Sequence, residues 1–339
     1  MSRVVAFLHK IHRPISILSL CVLYFWNVSG KTKRMYQILR TTSAVMDAMA
    51  DFLAAAICII NTFAVSDLEL QSIWKSLEKI DKFLDIKSDT SFVTTLHKYR
   101  HVIIATHCMT VVTFGWDVSS RSQAFGWDVY QYNIVVLIFL YKFLLMVLQI
   151  YLLSRSLDKR FTHLHQKFVC LTNHTDQNFV LSETVNCMKC HYSLGEIMEK
   201  LGQLYGWQMF LTEKMLVLYL SETVYFLYLL TSTGLVFHLV QVIGYALWTT
   251  FMLVCGLMLV FSCDKTNTDA KLSVQLCYNL IRESESSTVR KMLKQFARQV
   301  GQVDPRICYP EGTPVDRRIF FRIVGSVISY LIIVFQFDS

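Results

Sequence analysis

Charge is scarce in this chain: aspartate, glutamate, lysine and arginine make up 17% of its 339 residues, where a soluble domain carries about 25%. Helix breakers are scarce too, with 12 glycines and 4 prolines. The first shortage argues against a water-covered globule, and the second leaves most of the chain free to be helical. What fills the space is apolar: 53% hydrophobic and 13% aromatic side chains with a mean hydropathy of +0.40, the composition of a polytopic membrane protein. The 10 cysteines are scattered, and Cys21, Cys58, Cys108 and Cys255 fall inside apolar runs, so they read as small hydrophobes rather than a disulfide frame. A net charge of +8 raises nucleic acid as a partner. The basic residues lie in loops between apolar runs, however, which fits membrane topology and no nucleic-acid partner.

Crossing ~30 Å of hydrocarbon takes roughly 17 to 25 apolar residues. Seven runs qualify, at about 15–29, 41–65, 101–118, 129–153, 206–230, 234–262 and 319–337. The first has Arg3, Lys10 and Arg13 before a short apolar stretch and Gly30 after it, a pattern that also fits a cleaved signal peptide. With that run kept as a membrane helix and the amino terminus inside, 26 of the 33 lysines and arginines fall in inner segments and five in outer ones. The expected fold is therefore all-α: a multi-pass plasma-membrane protein of seven transmembrane helices, amino terminus cytoplasmic and carboxyl terminus extracellular. That orientation is the reverse of a G-protein-coupled receptor, and the basic loop 31–40 is the one contrary signal.

Apolar residues continue at helical spacing beyond the crossings. Leu157, Phe161, Leu164, Phe168 and Leu171 form one stripe, Leu194, Ile197, Leu201 and Leu204 a second, and Val289, Leu293, Phe296, Val300 and Val303 a third. Three amphipathic helices on one side of the membrane need one another's apolar faces, so an intracellular helical platform is expected. The organisation that follows is crossings one to four over 1–153 and an inner extension over 154–205. Crossings five and six over 206–262, anchor helices over 263–318 and a terminal helix over 319–339 complete it. Pro305, Pro310 and Pro314 with Gly312 mark the turn before the last crossing.

Asp47 and Asp51 share one face of the second crossing, and Lys142 lies inside the fourth. Ionisable groups at membrane depth cost at least about 2.5 kcal/mol each if unpaired, so they should turn inward, and Asp51 and Lys142 are at depths where they could pair. Such a pair is either the floor of an aqueous cavity or a structural salt bridge. In the outer halves of the fourth to sixth crossings, Tyr132, Asn133, Glu222, Tyr225, His238, Gln241 and Trp248 interleave polar groups with aromatics. That mixture suits a small-molecule pocket, and it equally suits interfacial anchoring and helix-to-helix hydrogen bonds. Cys187-Met188-Lys189-Cys190-His191 has the spacing of covalent haem attachment and includes metal-ligating types. It falls on an inner, leucine-rich helix, where packing is the simpler role. No catalytic, nucleotide-binding or cofactor fingerprint is present, which points away from an enzyme and leaves no cofactor to place. Asn27-Val28-Ser29 is a glycosylation sequon on the outer side, and Asn173-His174-Thr175 has the same form on the inner side.

The last apolar helix carries a polar stripe: Gly325, Ser329, Ile332 and Gln336 fall on one face. A buried amide in hydrocarbon is costly, so this face suits a pore or a helix contact. Ser329-Tyr330, five apolar residues and Gln336-Phe337 together resemble the terminal signature of insect gustatory receptors, with serine in place of the usual threonine. The stretches 311–318, 157–161 and 194–208 look like looser family motifs, so the likeness covers 150–339 and the first half by helix count. The resemblance implies a tastant-gated, non-selective cation channel, a homo- or hetero-tetramer of related subunits in membrane lipid. In it the terminal helices line one pore, the inner platform joins the subunits, and ligand enters between the second and sixth crossings. Phe337 and Gln336 would form the gate, with Ser329 and Tyr330 on the same helix, and the ligand candidates are Asp47, Asp51, Tyr132, Glu222, His238 and Gln241. A metabotropic seven-helix receptor, a helical transporter and, nearest in kind, an insect odorant receptor are the alternatives. The charge asymmetry weighs against the first, and the lack of broken helices against the second.

Overall fold

The computed structural model describes residues 3–34, 41–86, 92–172, 177–232, 239–283, 287–303 and 305–338. Ten helices account for almost all of them: α1 (Arg3–Arg34), α2 (Thr41–Ala64), α3 (Asp67–Phe83), α4 (Phe92–Lys98), α5 (Arg100–Phe125), α6 (Trp127–Thr172), α7 (Gln177–Ser232), α8 (Leu239–Glu283), α9 (Ser287–Val303) and α10 (Ile319–Asp338). Among the described residues, four stretches are long and apolar enough to cross a membrane by length and composition: Ala44–Ala64, Arg100–Ser120, Asn133–Leu171 and Val242–Arg282. The apolar part of α10, Ile319–Ile333, is shorter.

Helices α6, α7 and α8 have 46, 56 and 45 residues. At 1.5 Å per residue they reach ~70, ~85 and ~70 Å, over twice the hydrocarbon thickness. The extensions expected after residue 153 and before residue 206 are therefore not separate helices. They are the same rods continued, with no break at 153–154, 205–206 or 262–263. Described residues of the three predicted stripes meet. Leu157, Phe161, Leu164, Phe168, Leu194, Leu201, Val289, Leu293 and Phe296 are all buried in one contiguous core. His191 stands between the aromatic rings there, edge-on to Phe296 with centroids 5.3 Å apart and to Phe161 at 5.9 Å.

Helix α3 starts at a capping box, in which Ser66 Oγ accepts from the Glu69 amide and the Glu69 carboxylate accepts from the Ser66 amide. Arg160 on α6, almost wholly buried, pairs with Asp81 near the other end of α3 at 2.6 Å. One ion pair thus fixes a short amphipathic helix to the long rods.

The proline-rich stretch before α10 is a tight turn held to α7 and α8. Tyr309 N donates to Thr313 O at 2.8 Å and Val315 N to Ile307 O at 3.0 Å, while Gly312 takes φ +80 at the bend, a conformation that favours glycine. Asn267 on α8 clamps both arms: its Oδ1 accepts from Ile307 N at 2.8 Å, and its Nδ2 donates to Val315 O at 3.1 Å and Ile307 O at 3.4 Å. On the other side the turn lies against α7 so closely that a Cβ at Gly202 would sit 3.2 Å from the Cys308 backbone.

Asn267→Leu keeps the volume and removes the clamp. It should cost about 1–3 kcal/mol for each buried backbone group left unsatisfied, read as a lower melting temperature of the purified protein. Asn267→Gln should not restore the loss, since its longer amide misplaces both bonds.

Candidate ligand site and terminal helix

Two complementary i, i+4 pairs meet where α1 and α2 pack. Asn27 and Lys31 occupy one face of α1, and Asp47 and Asp51 one face of α2. Lys31 Nζ lies 2.6 Å from Asp51 Oδ2 and 2.8 Å from Asp47 Oδ2. Asn27 Nδ2 donates to the same Asp51 oxygen at 3.0 Å. Lys31 is 1% exposed, Asn27 0% and Asp51 3%, so this is a desolvated charge cluster in which the ammonium and the amide nitrogen serve the carboxylates, while Asn27 Oδ1 has no partner among the described residues.

The expected pairing of Asp51 with Lys142 is therefore corrected. Lys142 is exposed on α6, and the buried cation is Lys31, which hydropathy assigned to an outer loop. The physical reason is that α1 runs on to Arg34, carrying Lys31 into the helix pair rather than into water. Depth along a helix is legible in a sequence, but the direction in which a side chain points about the helix axis is not.

A second buried group joins α5, α7 and α8. Trp248 Nε1 donates to the Asp117 carboxylate at 2.8 Å, and the Trp248 ring stacks on Tyr219 with centroids 6.0 Å apart and packs against Phe114 and Phe251. Asn133 on α6 is 3% exposed, and neither atom of its amide has a partner among the described residues. Buried Ser221 Oγ on α7 and Thr113 Oγ1 on α5 are in the same state. Such atoms are rare in a finished core and are satisfied by water or a ligand. Asp117 is a buried carboxylate of this group that hydropathy did not single out. Its signal was a carboxylate sharing an apolar run with Trp116.

Among the other sequence-derived candidates, Glu222 is half-buried on α7. Tyr132 and Gln241 lie in α6 and α8 with side chains outside the described set, and His238 lies outside the described residues. On α10, Ile323 and Val327 are buried, while Gly325, Ser329, Ile332 and Gln336 are all exposed. The whole stripe therefore turns away from the rest of the chain. Tyr330 is half-buried against the pair formed by Met46 of α2 and Tyr225 of α7. Phe337 belongs to the helix, with its side chain outside the described set. At the opposite end of α10, Arg322 reaches Glu213 of α7 at 2.6 Å, and the Arg322 guanidinium lies 5.3 Å from the Tyr309 ring centroid. The terminal helix is thus held along one face by Ile319, Ile323 and Val327 in the main core, with an ion pair at its base and an aromatic contact near its far end.

The C-x-x-C-H stretch lies in the platform core. Burial pushes the Cys187 and Cys190 thiols up to about 12 and about 11, which keeps both protonated and weakly nucleophilic. Burial likewise pushes His191 down to about 4, against a hydrogen bond to the Ala270 carbonyl that favours the charged form.

Two measurements check these assignments. Lys31→Met leaves two carboxylates without their cation and should destabilise the purified protein by about 3–5 kcal/mol. Adding Asp51→Asn should recover part of that loss, read by thermal melts monitored through size-exclusion fluorescence. For His191, the unfolded imidazole takes up a proton near pH 6.5 and the folded one only near 4. Its contribution to stability is therefore complete above pH 6.5 and is lost as pH falls from 6.5 towards 4. His191→Leu should flatten the melting temperature across that window and leave it unchanged in shape above pH 7.

The chain's relatives accord with this architecture. By structure it is similar to the insect olfactory receptor OR5 from Machilis hrabei, with a TM-score of 0.69 over 94% of this chain and 88% of that one, at 14% identity. No curated protein matches it by sequence. The family model described as 7tm Chemosensory receptor matches residues 2–339, and the chain accordingly belongs to the seven-transmembrane chemosensory receptor family, as a multi-pass, all-helical membrane protein.

Proposed function

We infer that this chain is a gustatory receptor subunit, a non-enzymatic, tastant-gated and non-selective cation channel assembled as a tetramer with copies of itself or related subunits. The observation that carries the reading is the outward polar stripe of α10. Gly325, Ser329 and Gln336 lie exposed on a helix whose other outward residues, among the described side chains, include Phe321, Val324, Ile328, Ile332 and Ile333. A face with an amide and a hydroxyl is poorly suited to lipid and well suited to a water-filled path shared with other copies. The C-terminal string Ser329-Tyr330 to Gln336-Phe337 favours the gustatory over the odorant branch.

The orientation in this reading is amino terminus inside, carboxyl terminus outside, at the plasma membrane, with 154–205 and 263–318 forming a cytoplasmic platform. Burial of Lys31 in an ion pair weakens the contrary charge signal of segment 31–40, because a neutralised lysine does not oppose translocation as a free one does. Ligand candidates are the buried groups of the outer halves: Asn133, Asp117 and Trp248, with Tyr132, Glu222, His238 and Gln241 beside them in sequence. Asp47 and Asp51 take a different role, since Lys31 occupies both carboxylates, and they act by holding α1 to α2. A route from ligand to pore is available through α2. The helix that carries Asp47 and Asp51 also carries Met46, which touches Tyr225 and through it Tyr330 on α10.

Expression of the chain in a cell without native receptors should give tastant-evoked cation currents that persist under G-protein block. Phe337→Ala should add a resting leak, and Gln336→Ala should change relative ion permeability with the evoked response retained. If both variants keep wild-type resting and evoked currents, α10 is a packing helix and the pore lies elsewhere. Currents abolished by G-protein block would point to a metabotropic receptor instead.

A further inference from the structure

Away from the crossings, α3 and α7 enclose a cleft of about 350 Å³. Lys79, Lys189 and Lys200 line it together with the hydroxyls of Ser72, Ser76 and Ser193. Lys200 Nζ donates to Ser72 Oγ at 2.7 Å, tying one wall to the other. Glu196 is the only acid among the lining residues, so the cleft carries excess positive charge. Lys79 and Lys189 are exposed and have no carboxylate partner among the described residues. The site is rigidly built, because the Asp81–Arg160 pair and the Ser66 capping box fix both ends of α3.

The position of the cleft adds to its chemistry. Ser72 lies eight residues beyond the end of α2 at Ala64, and Lys200 lies six residues before the crossing that begins at 206. At 1.5 Å per residue these are ~12 Å and ~9 Å, which is close to the headgroup layer on that side of the bilayer. Basic pockets beside membrane helices on the cytoplasmic side recognise phosphorylated headgroups. Lysine ammonium groups serve as point-charge partners for phosphate, and serine hydroxyls donate to phosphate oxygens or ring hydroxyls. A lone phosphate would leave most of this volume unfilled, whereas a sugar-sized ring with several phosphates would use all three lysines.

We propose that the α3–α7 cleft binds a multiply phosphorylated inositol group, supplied either as the headgroup of a membrane lipid or as a free inositol phosphate. The lipid source rests on the orientation given above, which puts the cleft at the inner leaflet. The anion site itself does not depend on that orientation.

The test uses the full-length receptor purified in detergent at physiological salt. Equilibrium binding is measured for a short-chain phosphatidylinositol bisphosphate and, separately, for inositol trisphosphate. Lys79→Gln with Lys189→Gln should lower affinity by at least ~10-fold, and Ser193→Phe should do the same by filling the cleft without changing charge. Size-exclusion profiles confirm that each variant keeps its assembly. Binding of both probes assigns a site open to soluble inositol phosphates, and binding of the lipid alone assigns a headgroup site. Wild-type affinity in both variants overturns the proposal, as does equal binding of phosphatidylserine, which would reduce the effect to bulk charge. The readout is independent of current, so its failure leaves the channel reading standing and failure of the channel reading leaves this one testable.

Discussion

A helix that crosses hydrocarbon must satisfy every backbone group within itself, and nothing obliges it to stop at the headgroups. In this chain α6, α7 and α8 do not stop. Their buried faces continue from Val135 and Phe139 through Leu157 and Phe161 into the platform without a seam, as one contiguous core. The membrane-facing and platform halves are therefore parts of the same rods. A tilt imposed on one end of α7 must be felt along the rod, near whose middle Gly202 admits the turn that leads to α10.

Helix α10 packs on that body along one face, through Ile319, Ile323 and Val327. Its base is tied by Arg322 to Glu213 and its far end by Tyr330 to Met46 and Tyr225, and between these points the face opposite Ile323 and Val327 is exposed. Glu213 is 3% exposed, so losing Arg322 would leave a buried carboxylate whose remaining cation among the described residues, half-exposed Lys214, lies at the longer distance of 3.4 Å. The base should therefore be the fixed end. The far end rests on apolar and aromatic contact, which has no comparable penalty for sliding. On the channel reading, this asymmetry locates the hinge near Arg322 and the moving end near Gln336.

Much of the fold was legible in the apolar runs and their stripes, because both follow from helical periodicity and the thickness of hydrocarbon. The runs at 41–65 and 319–337 lie along α2 and α10, and the stripe through Leu157 and Phe161 lies in the platform core. What the sequence did not reveal was continuity. A polar residue such as Ser154 or Arg155 looks like a loop in a hydropathy trace, yet Ser154 is wholly buried inside α6. The site was less legible. Asp47, Asp51 and the α10 stripe stand out as polar groups in apolar runs, but Lys31 and Asp117 find their partners only through rotation about the helix axis, which no spacing rule supplies.

The α1–α2 cluster carries the last step of the argument. Buried ion pairs are weak contributors to net stability, because desolvation offsets most of the attraction. They are strong determinants of register, since a shift of one residue would separate Lys31 from both carboxylates at once. Asp47 adjoins Met46 in sequence, and on a helix neighbours point about 100° apart. One short stretch of α2 therefore faces two ways, with its charges on α1 and its thioether on α7 and α10. Holding the charged side in register holds Met46 against Tyr225, and so fixes the surface on which Tyr330 rests. A ligand that rotates or displaces α2 must either move this cluster as a unit or break it. The first is far cheaper, so on the channel reading the cluster would turn a local displacement into a rigid-body motion of α1 and α2 together, delivered to the far end of α10.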